Sequence, residues 1–276
     1  MANGGYEITI PGANYAVITP DVYLVNSGIE DVNVKTHFLT FKNTLIANNI
    51  WDKIIYANAI LGTTVNQIKF NIKNGADPLT NAGGGTIVNT INKGIVLAGV
   101  GNSQGSTIDV PLTETFIQSV LSGSGHAMYF INENLVATNT TIPGIGIPLS
   151  SNLFAQSAPL FSLTGAVGTS PQKKGLYLRN TSSLLSPSFL SKGPFGVIKN
   201  GSTSEFFGNA VSLGTVTHSG TANAFTGNIR IGDGKYPVAN TISYISFGNI
   251  AMSAAEMVIY QNAVKTLIQN VHGIVV

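Results

Sequence analysis

The sequence predicts a mainly β domain, a sandwich or a barrel, with one leading and one closing α-helix. Three observations carry that expectation. Short apolar runs are punctuated throughout by Gly and Asn, as at Asn74-Gly75, Gly83-Gly84-Gly85, Gly101-Asn102 and Asn200-Gly201, residues that accept the positive φ of tight turns. The apolar period lengthens to three and four at Val34, Phe38, Phe41 and Leu45, and again at Met257, Tyr260, Val264, Leu267 and Val271. Immediately before that second helix, Thr241–Gly248 alternates apolar with small polar residues, the mark of a strand with one buried face.

The closing helix is the best-marked element. Ser253 stands three residues before Glu256, so its hydroxyl can accept from the amide of 256 while the carboxylate returns to the amide of 253. Met252 and Met257 flank that box at the spacing of a hydrophobic staple. Gly273 supplies the stop, and His272 lies where a hydrogen-bonding side chain suits the last carbonyls. A helix with one apolar stripe must cover an apolar surface, and a β-rich body precedes it.

Residues 1–32 hold short β-like runs, Tyr6–Ile10 and Tyr15–Ile18, broken by Pro11, Gly12, Pro20 and Gly28. They read as an extended arm that either lies over the body or docks onto a partner subunit. The domain proper is 33–276, and its leading helix runs from Asn33 to Asn48. The single tryptophan, Trp51, then enters a strand with Ile54, Ile55 and Tyr56, and its large apolar area suits a core plug. Further strands are expected at 67–73, 86–92, 94–99, 107–111, 126–132, 156–163, 175–180, 195–199, 204–207, 211–217 and 228–232. A brief helical turn is expected at 114–122 and a Pro/Gly loop at 138–151. No linker is dense enough to divide the domain.

Composition narrows the function classes. Charged residues are 9% of the chain and the net charge is +2, far from the basic surplus of a nucleic-acid binder. The surface must be built from Asn, Ser, Thr, Gln and Gly, which leaves little barrier to self-association, and a homo-oligomer or incorporation into a larger particle is expected. With 0 cysteines, disulfides and thiolate metal sites are excluded. No run reaches the roughly 18 apolar residues of a membrane span, and Met1–Gly5 carries no signal pattern, so a soluble chain made in the cytoplasm is expected.

Catalytic patterns are thin. No strand carries carboxylates at i and i+2 or i+4, as a sandwich glycosidase cleft needs, and Glu133 with Asp233 could meet only through the fold. His37, His126, His218 and His272 lie far apart, outside any metal-binding spacing. Gly83–Gly85 lacks the Gly-Lys-Ser/Thr of a phosphate loop, Gly232–Lys235 lacks the remaining ligands of a calcium loop, and no Gly-x-Ser-x-Gly elbow occurs. The chain is therefore expected not to be an enzyme, with no catalytic, metal or cofactor-binding residue assigned. Sugar binding stays open, because Tyr177, Arg179, Phe195, Lys199, Asn200 and Tyr236 lie on or near turns, where aromatic and amide groups can meet a saccharide. The same residues also occur as ordinary half-buried turn residues of a sandwich. The candidate ligand-binding set is Tyr177, Arg179, Lys199, Asn200 and Tyr236.

The succession Ile198-Lys199-Asn200-Gly201, Ile229-Arg230-Ile231-Gly232, Tyr244–Phe247 and Ser253–Glu256 resembles the concanavalin/laminin-G-like jelly roll. The leading helix, Trp51-x-Lys53-Ile54, the pair Tyr56 and Gly62, and the closing Ser253-Ala254-Ala255-Glu256 … Tyr260 … Ala263-Val264 helix are further similar to tailed-phage virion structural proteins with that domain, over about residues 33–272. Where that group often has Tyr-Pro-Phe-x-Gly-Gly, this chain has Tyr56-Ala57-Asn58-Ala59-Ile60-Leu61-Gly62. The resemblance implies a concanavalin-like jelly-roll β-sandwich serving as a non-enzymatic structural component of a bacteriophage virion, a capsid-decorating or head-fibre protein docked to other virion proteins through its N-terminal arm. A tail receptor-binding protein, or a free carbohydrate-binding lectin, is the alternative, with a host-surface glycan as partner. It implies no cofactor, nucleic acid or membrane.

Overall fold

The computed structural model describes residues 20–76, 78–82, 88–90, 94–97, 107–112, 119, 123–132, 142–146, 162–165, 174–177, 184–185, 192–217, 229–231 and 240–276. Helices α1 (Val22–Ser27) and α2 (Val32–Ala47) are followed by a 3-10 turn (Trp51–Lys53), strand β1 (Tyr56–Ala59) and the short helix α3 (Val65–Ile68). Then come β2 (Thr80–Ala82), β3 (Val88–Thr90), β4 (Gly94–Leu97), β5 (Thr107–Val110), β6 (Ser124–Ile131), β7 (Ile142–Gly146), β8 (Ser162–Gly165), β9 (Lys174–Tyr177) and β10 (Leu184–Leu185). The chain closes with β11 (Gly193–Asn200), β12 (Thr203–Gly208), β13 (Val211–Thr217), β14 (Ile229–Ile231), β15 (Asn240–Gly248) and α4 (Ala254–His272).

The strands form two antiparallel sheets. One has the order β13-β12-β11-β6-β15-β4-β3, with β1 also paired to β15; the other runs β10-β9-β8-β7-β14-β5-β2. Strand β15 holds the first sheet together. One of its edges pairs with β6 along most of its length, while the other pairs with β4 over Asn240–Ile242 and then with β1 over Tyr244–Phe247. The bulge between Ile242 and Tyr244 falls at that change of partner, where Ser243 donates to Asn132 at 2.6 Å and its carbonyl accepts from Ile60 N at 2.9 Å.

Helices α2 and α4 pack on one face of this sheet. From α4 come Met257, Tyr260, Val264, Leu267 and Ile268, and from α2 come Phe38, Phe41 and Leu45, all buried against Met128, Phe130, Ile198, Phe207 and Tyr244. Each such side chain stabilises the fold by about 1.5–3 kcal/mol relative to exposure. The opposite face is buried too, with Tyr129, Phe195, Val197, Phe206, Ile245 and Phe247 at 3% exposure or less. Strand β15 is thus buried on both faces, not one: Ser243 and Ser246 are inside and hydrogen-bonded, which is why small polar residues there were no sign of solvent.

Both capping motifs of α4 form, with Ser253 and Glu256 reciprocally bonded and Gly273 left-handed at φ 67°. The leading helix also stands where its period placed it. Elsewhere local chemistry overrode pattern. The expected strand at 67–73 begins instead as α3, because Thr64 and Gln67 form a capping box and Gln67 folds back over Gly62, where a Cβ would sit 2.3 Å from its own. Trp51 is buried as expected but lies in the 3-10 turn rather than a strand. The loop expected at 138–151 contains β7, whose Pro143 is accommodated at a register irregularity between Pro143 and Ile145. Residues 21–28 of the expected extended arm fold as α1, capped by Asp21, with Tyr23 buried against the Phe38 ring at 4.9 Å. The turn expected at 114–122 lies outside the described residues apart from Ser119.

Candidate ligand-binding rim

One end of the first sheet is built from backbone turns and neutral polar side chains. The β11–β12 hairpin forms at the Asn200-Gly201 signal, with Asn200 pairing Thr203 and Gly201-Ser202 as the two turn residues, Gly201 at φ 58°. Asn200, the end of β11, sits opposite Ser124 of β6 and Thr203 of β12, and Thr203 sits opposite Thr217 of β13, so four strand ends and one turn share this edge. Asn200, Gly201, Ser202 and Thr217 are exposed there, with Ser124 and Thr203 half-buried.

Lys199 fixes the rim from beneath. Its Nζ donates to the carbonyls of Gly123 and Gly201, both at 2.9 Å, while Gly201 N donates to Gly123 O at 3.1 Å. The side chain is buried, which lowers its pKa, and the two carbonyls hold the ammonium in place. Thr203 Oγ1 donates to Asn200 O at 3.0 Å and closes the turn. The result is a rigid edge presenting one carboxamide and several hydroxyls. Among the described residues no cation stands free at that edge: its one lysine acts as a clamp.

A second polar cluster lies beneath α4. Tyr260 OH donates to Ser246 Oγ at 2.7 Å and meets Tyr244 OH at 2.7 Å, so Tyr244 is the donor of that second bond. Burial pushes both phenols well above their ordinary pKa, and they stay protonated. His126 packs edge-on to Tyr260, and its Nδ1 bonds to Ile250 O at 2.9 Å. A carbonyl can only accept, so Nδ1 carries the proton and Nε2 is a bare acceptor, buried without a partner. Burial lowers the pKa of His126 to about 4 despite that bond. These groups hold α4 on the sheet in fixed protonation states, and no group of three or more His, Asp or Glu positioned for a metal occurs among the described residues.

Of the residues singled out by sequence, Lys199 and Asn200 stand together at the rim, while Tyr177 ends β9 in the other sheet. Phe195 is buried against Phe206, with ring centroids 6.3 Å apart, and offers no face to a ligand. Arg179, Tyr236, Glu133, Asp233, His218 and the glycine runs at 83–85 and 232–234 lie outside the described residues. His37 and His272 are separately engaged, with Asn270 and the Ile60 carbonyl. Sequence reasoning missed Ser124, Ser202 and Thr217. Ser202 was accessible as the residue that follows Asn200-Gly201, whereas Ser124 and Thr217 reach the rim only through strand register.

No family model matches the sequence, and no curated protein sequence matches it. Solved structures do match in shape. A botulinum neurotoxin type C structure, described by its interaction with two ganglioside molecules in cell entry, superposes at TM-score 0.56 and 14% identity, over 79% of this chain and 53% of that one. The binding domain of botulinum neurotoxin DC in complex with rat synaptotagmin II superposes at 0.55 and 14%, over 78% and 52%. A Trypanosoma rangeli sialidase mutant superposes at 0.53 and 9%, over 84% and 38%. The fold is a concanavalin-like jelly-roll β-sandwich. This jelly roll spans about half the length of the toxin chains it matches. Identities this low establish shared architecture alone. Among the described residues no helix is long and apolar enough to cross a membrane.

Proposed function

We propose that this jelly roll is a non-enzymatic binding module that takes a neutral oligosaccharide at the rim around Asn200. The observation that carries this reading is the edge itself: an exposed carboxamide and hydroxyls on a turn held by Lys199, with the lysine ammonium engaged by two carbonyls. Saccharide hydroxyls both donate and accept, and a fixed set of neutral amides and hydroxyls answers them without the desolvation cost of a charge. An acidic sugar would call for a free cation. The architecture supports a saccharide ligand but not its neutrality, since the chain of similar fold that interacts with two ganglioside molecules meets sialylated, acidic sugars. Tyr177 and Tyr236 are the sequence's candidates for an aromatic contact, with Arg179 two residues after Tyr177.

Glycan-array binding is the test. The wild-type chain should bind neutral glycans, with the signal lost in Asn200→Ala and reduced in Tyr177→Ala or Tyr236→Ala. Binding confined to sialylated glycans, or unaffected by Asn200→Ala, would overturn the reading.

A second reading sets the module in a phage particle, as a capsid-decorating, head-fibre or tail receptor-binding protein made in the host cytoplasm and joined to other virion proteins. It rests on the sequence resemblance alone, at Trp51-x-Lys53-Ile54 and the closing Ser253-Ala254-Ala255-Glu256 helix. Immunogold labelling of purified particles tests it: label over head or tail supports the reading, and unlabelled particles end it. Because α1 packs on the body through Tyr23, an arm-deletion test of docking should remove residues 1–19 and leave 20–32 in place.

A further inference from the structure

The rim continues onto a face of the sheet. Asn200 pairs with Thr203 across the β11–β12 hairpin, and Ile198 pairs with Glu205 two positions along, so these four side chains leave the same face. It is the face that α4 covers: Ile198 and Phe207 are buried with Met257 and Tyr260, and a Cβ on Gly196 would meet Met257 Sδ and Gln261 Nε2. Beyond the helix, on β13, the exposed Ser212, Thr215 and Thr217 pair with Phe207, Glu205 and Thr203 and belong to that face as well. Glu205 is the one carboxylate of β6, β11, β12 and β13, and it stands half-buried on this polar shelf between helix and rim. Ser212 Oγ donates to its Oε1 at 2.6 Å and fixes it, while no lysine or arginine pairs with it among the described residues. By strand geometry its Cα lies about 8 Å from that of Asn200, one strand across and two residues along, so a single sugar ring can touch both side chains.

We infer that Glu205 determines the specificity of the rim: it accepts hydrogen bonds from the hydroxyls of a neutral saccharide lying on the shelf, and its charge turns away sugars that carry a carboxylate. The inference rests on the saccharide reading of the rim. A hydroxyl bonded to a carboxylate makes a shorter bond, about twice as strong as one between neutral groups. Because Glu205 is only half-buried and already held by Ser212, a ligand removes part of its hydration and orders nothing further. An ionised sugar would bring like charge onto the shelf with no cation to offset it. Lys199 lies between Ile198 and Asn200 in β11 and so points to the opposite face, its ammonium bonded to the carbonyls of Gly123 and Gly201.

Glu205→Gln keeps the shape of the side chain and an acceptor for Ser212 while removing the charge. Calorimetric titration of the full chain with a neutral oligosaccharide and with its sialylated counterpart reads the effect. The variant should bind the neutral sugar about fivefold more weakly than the wild type and the sialylated one about tenfold more tightly, with Tm unchanged. A merely structural role would weaken both sugars together. Ser212→Ala, which loosens the carboxylate but keeps its charge, should weaken neutral binding without admitting the sialylated sugar. Neutral binding that is lost in Asn200→Ala yet unchanged in Glu205→Gln, or a Glu205→Gln chain that loses both sugars alike, would overturn this inference and leave the rim reading standing. A wild type that binds neither sugar, that prefers the sialylated one, or that is indifferent to Asn200→Ala would overturn both.

Discussion

Lys53 and Glu256, 203 positions apart in the chain, meet through two hydrogen bonds of 2.7 Å from the lysine Nζ to both carboxylate oxygens. The carboxylate also accepts from Ser253 N at 2.7 Å, so one side chain caps α4 and ties it to the turn that precedes β1. Hydrogen bonds from Lys53 and Ser253 hold its pKa below the ordinary carboxylate value, although desolvation opposes them. A double-mutant cycle with Lys53→Met and Glu256→Gln should give a coupling of about 1 kcal/mol in urea unfolding, above the usual exposed pair because the carboxylate is fixed by the cap. Each single variant should lower Tm by a few degrees; additive singles would show that the pair is incidental.

His126 makes stability fall with acid. Its folded pKa of about 4 lies below the 6.5 of an unperturbed imidazole, so between those values only the unfolded chain takes the proton. Its contribution is complete above pH 6.5 and is lost as pH drops towards 4, by about 3 kcal/mol over the window. Asparagine at 126 can still donate to Ile250 O but does not titrate. Chemical denaturation at pH 7, 6, 5 and 4 should therefore show a flatter slope for His126→Asn than for the wild type.

Two glycines should respond differently to alanine. A Cβ on Gly248 would stand 2.1 Å from His126 Cε1 and 2.2 Å from the Lys53 carbonyl, a buried ring and a backbone atom that cannot yield. On Gly196 the nearest atoms are Met257 Sδ at 2.7 Å and Gln261 Nε2 at 3.0 Å, the ends of flexible side chains. Gly248→Ala should cost about 3 kcal/mol or more and Gly196→Ala about 1–2 kcal/mol, as read from thermal unfolding. Equal costs would mean that the contact at Gly248 relaxes.

Trp51 reports on Lys73. The lysine Nζ lies 4.3 Å from the indole centroid and donates to the Trp51 carbonyl, and burial lowers its pKa to about 8. Because Trp51 is the 1 tryptophan of the chain, its fluorescence should titrate with a midpoint near pH 8, and Lys73→Met should abolish that step. A flat wild-type profile from pH 7 to 9 would contradict the stacked geometry.

What the sequence made legible were the elements with local chemistry. The capping box at Ser253 and Glu256, the left-handed stop at Gly273, the period of Phe38, Phe41 and Leu45 and the Asn200-Gly201 turn each rest on neighbours within a few residues, and each forms. Less legible was anything decided by partners distant in sequence. Both faces of β15 are buried because α4 covers one side and the sandwich interior the other, which alternation within eight residues could not reveal. The rim is of the same kind: Ser124 joins Asn200 only by the register of β6 on β11. Lys199, read from sequence as a ligand contact, is a clamp because two carbonyls brought by the turn and by Gly123 converge on it.

The central claim is that the rim around Asn200 receives neutral saccharide. Amide chemical-shift mapping during titration with neutral oligosaccharides, set beside their sialylated counterparts, tests it most directly. The account predicts saturable shifts at Ser124, Asn200, Gly201, Ser202 and Thr203 with the neutral series, and none at Leu39 or Ile46 of α2. Shifts confined to other surfaces, or a rim that answers only the sialylated sugars, would contradict it.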